Sequence, residues 1–87
     1  MMQLLVLGSG CAKCAKLYDL TAQAARELGL EHELRKVTDL KQIMALRVML
    51  TPALVVNGAV KFSGKVPGLD ELKGILNQAA AAENTAN

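Results

Sequence analysis

The chain contains two cysteines, three positions apart in Gly8-Ser9-Gly10-Cys11-Ala12-Lys13-Cys14. An apolar run, Leu4-Leu5-Val6-Leu7, precedes this stretch and a helical pattern follows it, so the pair stands where a buried strand passes into a helix. The first N–H groups of a helix have no intrahelical partner, and the macrodipole gathers partial positive charge there. A thiolate at that end is stabilised, and its pKa falls below the free value of about 8.5. Spacing i, i+3 lays the second sulfur against the first on one face of the first turn. Such a pair suits dithiol–disulfide exchange, because the bond can form and break with little backbone movement. Lys13 adds a positive charge that favours thiolate, although an exposed helix lysine is an equally ordinary reading of it.

The same residues carry other readings. Two thiolates can hold a soft ion such as Cu(I) or a metalloid. They can also be an inert core pair. A structural zinc site needs four ligands, whereas the chain offers Cys11, Cys14 and one distant histidine, His32, which argues against a complete single-chain zinc site. No cofactor is expected. A third reading makes the protein an interaction module whose redox chemistry is incidental.

The elements that must position the pair follow from hydropathy and turn residues. With 87 residues and 52% apolar side chains, the chain is long enough for one domain with its own core. Residues 3–8 predict a buried strand. A helix over 11–28 turns Cys14, Leu17, Tyr18, Thr21, Ala24, Ala25 and Leu28 inward, and Gly29 ends it. Residues 31–37 predict a charged edge strand, with His32 as a surface residue. Asp39 caps a short helix over 40–47 with Gln42 in the capping-box position, and Leu40, Ile43 and Met44 form its apolar face. Met44 and Met49 read as packing rather than as copper ligands.

Thr51-Pro52 stands before an apolar strand over 53–56. Asn57-Gly58 predicts a type I′ hairpin turn into a strand over 59–63, with Val60 and Phe62 on one face. Gly10 is expected to allow close backbone approach at the site. A loop over 64–68 leads to a last helix from Leu69, with Leu69, Leu72, Ile75, Leu76 and Ala79 inward. Residues 1–80 form the domain and 81–87 a disordered tail. The order βαβαββα implies an α/β fold, a four-stranded mixed sheet with helices on both faces.

Some partners are disfavoured by composition. Tyr18 and Phe62 are the aromatic residues, which leaves no platform for stacking bases, and a net charge of +2 from scattered basic residues makes no phosphate-tracking stripe. No nucleic acid partner is expected. No segment approaches a membrane span, and the N-terminal apolar run is shorter than the roughly 7–15 residues of a secretory signal. The expected setting is the cytoplasm, where a CxxC is more readily catalytic or metal-binding than structural.

The chain resembles the small thioredoxin-like, redox-active disulfide proteins, a minimal form of the thioredoxin fold. The residues that carry the resemblance are Gly8 to Cys14 after the first strand, Thr51-Pro52, Val56-Asn57-Gly58 and Gly64-Lys65-Val66-Pro67, over roughly residues 2–77. The resemblance implies a cis Pro52 beside the cysteines and a Thr51 backbone that pairs with an extended substrate. It also implies Cys11 as the attacking thiol and Cys14 as the resolving one. The implied partners are a protein or small-molecule disulfide and a reductase as electron donor. The chain departs from ordinary thioredoxins in having no Trp before Cys11 and no Gly-Pro between the cysteines. The glycine pair and aspartate with which glutaredoxins help hold glutathione are not matched.

Overall fold

The structure, a computed structural model, describes residues 1–8 and 12–85, the last three by backbone alone. Seven elements follow in order: β1 (Met2–Leu7), α1 (Ala12–Glu27), β2 (His32–Val37), α2 (Leu40–Ala45), β3 (Ala53–Val56), β4 (Ala59–Ser63) and α3 (Leu69–Thr85). The strands form one four-stranded sheet in the order β2-β1-β3-β4. β1 pairs parallel with β2 and antiparallel with β3, and β3 pairs antiparallel with β4. The sheet is therefore mixed, and the charged strand β2 lies at its edge.

β1 is apolar apart from the exposed Gln3, because both faces of the sheet are covered. Met2, Leu4 and Val6 alternate onto the face that packs with Leu17, Ala24 and Ala25 of α1 and Leu72, Leu76 and Ala79 of α3. Leu5 and Leu7 alternate onto the other face, with Ile43 of α2 and Val48. β3 divides in the same way, Leu54 and Val56 to the first cluster and Ala53 and Val55 to the second. The wall of α1 and α3 is the broad one, and α2 covers the opposite face with a single buried residue, Ile43.

The chain leaves α1 and α2 by the same device. Leu30 N donates to Ala25 O at 3.0 Å and Gly29 N to Arg26 O at 3.1 Å, with Gly29 at φ +67°. Val48 N donates to Ile43 O at 3.3 Å and Arg47 N to Met44 O at 2.9 Å, with Arg47 at φ +61°. Both are Schellman ends, the second built on a residue that carries a Cβ. Asp39 does cap α2, accepting a bond from Lys41 N at 2.9 Å. At the hairpin, Asn57 and Gly58 both have positive φ, 50° and 83°, as a type I′ turn requires.

Several expectations need correction. α2 ends at Ala45 rather than at 47, because Arg47 is left-handed and turns the chain toward β3. Its expected apolar face does not form as a core face. Leu40 is 68% and Met44 64% exposed, and Met49 in the following loop is 95% exposed. A helix of six residues offers the sheet one inward position, which Ile43 takes. The two thioethers are thus solvent-facing rather than core packing.

Val60 and Phe62 do not share a face. A bulge between Leu54 and Val55 pairs Phe62 with Leu54 but Val60 with Val55, and Leu54 and Val55 belong to opposite clusters. An extra residue in one strand breaks the period of two on which the sequence reading relied. Tyr18 of α1, Leu28 just after it, and Leu69 and Ile75 of α3 are half-buried. α3 continues through residues 81–85, the first part of the segment expected as a tail, and residues 86–87 lie outside the described residues.

Candidate functional site

Cys14 lies in the first turn of α1, the third residue of that helix, and is 5% exposed. Its neighbour across the strand–helix turn is Gly8, at the end of β1, whose N–H donates to Val37 O of β2 at 3.0 Å. A Cβ at Gly8 would fall on the Cys14 sulfur, inside any real contact distance, and 3.2 Å from the Cys14 Cβ. It would also lie 3.7 Å from the Thr51 Cβ. Gly8, Cys14 and Thr51 therefore converge at one point, the end of the sheet where β1 stops and β3 begins.

The Thr51–Pro52 peptide bond is cis, Thr51 is exposed and Pro52 is buried. The Pro52 carbonyl accepts a bond from Gly64 N at 2.8 Å, which ties the loop before β3 to the end of β4. Gly64 has φ +77° and packs on Leu50, so the tie depends on a glycine twice over.

Of the site residues expected from the sequence, the structure thus brings Cys14, Thr51 and Pro52 to the same end of the sheet. Lys13 is exposed on the first turn of α1, next to Cys14 in the chain. Cys11 and Gly10, with the close approach assigned to it, lie outside the described residues. The close approach that the structure does show belongs to Gly8, a residue whose spatial role the sequence reading missed. The available signal was a glycine at the end of an otherwise unbroken apolar strand.

Beside Thr51 runs a groove of about 250 Å³ lined by Thr38, Leu40, Ile43, Val48, Met49 and Thr51. A second cavity of about 300 Å³, lined by Met44, Arg47, Val48 and Met49, shares Val48 and Met49 with it. The solvent-facing Leu40, Met44 and Met49, with Leu50 at 63% exposure, give the site an apolar shoulder on the α2 side. The sequence hid Leu40 and Met44 in an assumed core face. His32 is away from this end, on β2 opposite Met2, with its Nδ1 2.9 Å from Leu30 O. Among the described residues, no three His, Cys, Asp or Glu side chains come together as a metal site, and no helix is long and apolar enough to cross a membrane.

Comparison with known proteins bears on this geometry. Residues 2–77 match the family model described as thioredoxin domain. The chain belongs to the thioredoxin-domain family. A thioredoxin of Methanocaldococcus jannaschii is 37% identical over 73 residues, 84% of each chain. A thioredoxin of Methanothermobacter thermautotrophicus is 35% identical over 77 residues, 88% of this chain and all of that protein. The βαβαββα order and the mixed four-stranded sheet are those of a minimal thioredoxin-like fold.

Proposed function

We propose that the protein is a thiol–disulfide oxidoreductase that works through Cys11 and Cys14. The observation that carries the reading is the placement of Cys14, buried in the first turn of α1 against Gly8 and beside the Thr51–Pro52 loop, in a chain of the thioredoxin-domain family. Cys11 directly precedes Ala12, where α1 begins, so its thiolate gains from the helix N-terminus and from Lys13.

In the reducing direction, the Cys11 thiolate attacks one sulfur of a substrate disulfide. The Cys11–substrate S–S bond forms, the substrate S–S bond breaks, and the first substrate sulfur leaves as thiolate. The Cys14 sulfur then attacks the Cys11 sulfur. The intramolecular disulfide forms, the second substrate thiolate leaves, and the proton of Cys14 passes to solvent. The substrate gains two electrons and the protein loses two, to be restored by a reductase. The exposed Thr51 backbone and the apolar shoulder of Leu40, Met49 and Leu50 form the docking side, which favours a protein disulfide as substrate. A reducing cytoplasm is the compartment this reading implies.

Equilibration in dithiothreitol buffers, alkylation and mass analysis tests the couple. A reversible two-electron couple near about −270 mV, the thioredoxin value, is expected. Cys11→Ser should abolish turnover, and Cys14→Ser should accumulate a mixed disulfide. Failure to form a reversible intramolecular disulfide, or sustained turnover by Cys14→Ser, overturns the proposal, and stoichiometric Cu(I) binding by the reduced chain would then be the next measurement.

A further inference from the structure

Gly29, Gly58 and Gly64 have positive φ, a backbone conformation that by itself favours glycine. Gly8 is not among them, so an L side chain would suit its backbone. What forbids one is space. The position a Gly8 Cβ would take is occupied by the Cys14 sulfur, with the Cys14 Cβ 3.2 Å away. Gly8 is itself buried and bonded to Val37 O, and Leu7 before it is fully buried in the α2-side core, so the end of β1 has little freedom to retreat.

The geometry points to Gly8 as the positioning residue for the Cys14 thiol in the proposed exchange. Helical side chains use chiefly two of the three χ1 wells, because the third drives the side chain into the preceding turn. The Cys14 sulfur lies over Gly8, the residue three positions before Cys11 in the chain. A methyl at Gly8 takes that space and displaces the sulfur to another rotamer. Resolution of the mixed disulfide and closure of the Cys11–Cys14 bond both use the sulfur where Gly8 admits it. The absence of a side chain at Gly8 is thus a requirement of the second chemical step. This inference rests on the proposed oxidoreductase reading and deepens it.

The test is Gly8→Ala in the full chain, with an aromatic disulfide that releases one coloured thiolate at each step. The first phase reads capture by Cys11 and the second reads attack by Cys14. The ratio of second to first rate should fall about tenfold in Gly8→Ala. The potential of the couple should rise by about 30 mV, the equivalent of tenfold in a two-electron exchange constant. A melting-temperature cycle separates this role from general packing. Gly8→Ala should lower the midpoint when Cys14 is present, and Cys14→Ala should relieve most of that loss by removing the sulfur.

An unchanged ratio and potential overturn the inference, as does an equal loss of stability with and without the Cys14 sulfur. If the parent protein shows no second phase at all, the oxidoreductase reading fails. The stability cycle then still decides whether the Gly8 space belongs to the Cys14 sulfur.

Discussion

Replacing Arg47 with glycine should stabilise this protein, and the two helix ends allow the size of the effect to be worked out. Gly29 and Arg47 occupy the same position of the same motif, at φ +67° and +61°, with matching backbone bonds. An L residue in the left-handed region carries a cost of about 1–2 kcal/mol that glycine does not. Glycine also loosens the unfolded chain, which offsets about 0.4–1 kcal/mol of the gain. The net expectation is a gain of about 0.5–1 kcal/mol, or a rise of about 2–8 °C in Tm for a domain of this size. The reciprocal change, Gly29→Ala, should lose a similar amount. Urea denaturation followed by far-UV circular dichroism measures both variants, and an unchanged m value keeps the comparison on stability. If Arg47→Gly is less stable than the parent, its side chain holds the chain by contacts worth more than the strain, and the backbone argument is refuted. Arg47 also lines the cavity that shares Val48 and Met49 with the groove beside Thr51, so protein-disulfide reduction should be measured on the same samples.

Three further outcomes are expected. Thr21 is fully buried on α1 and its hydroxyl finds no hydrogen-bond partner among the described residues, so Thr21→Val should gain about 1 kcal/mol in urea denaturation, and a loss would reveal a partner for that oxygen. The Glu27 carboxylate is held below the ordinary glutamate range by its hydrogen bond to Lys73 on α3, then by Gln23, so its NMR titration should fall lower than in Lys73→Met. Because its folded pKa is the depressed one, the contact favours folding above the unfolded glutamate pKa and that contribution disappears as pH falls through the folded value; parent and Lys73→Met should converge in stability at acid pH. Leu40→Lys and Met49→Lys together should slow reduction of a protein disulfide about tenfold relative to a small aromatic disulfide. Both side chains are mostly exposed, so stability should stay within about 0.5 kcal/mol, and equal slowing on both substrates would remove the groove from docking.

Local rules made much of this protein legible before its structure. The apolar runs of β1 and β3, the three- and four-residue steps of α1 and α3, and the Asn57-Gly58 turn are each written within a few neighbouring residues, and the observed elements follow them. The place of Cys14 at the start of a helix was legible in the same way, since it needs only the strand before it and the helix after it. What lay beyond reach depends on contacts between distant segments. The bulge that separates Val60 from Phe62 is set by pairing with β3, not by β4 alone. Leu40 and Met44 have helical spacing, yet six residues of helix against the sheet face leave room for only Ile43 inside. The meeting of Gly8 after β1, Cys14 in α1 and Thr51 before β3 exists only once β1, β3 and α1 are packed. Spacing along the chain determines which residue types share an element and a face. Which space each side chain finds empty, as the Cys14 sulfur finds it at Gly8, is decided by tertiary packing, because steric exclusion acts through space and not along the sequence.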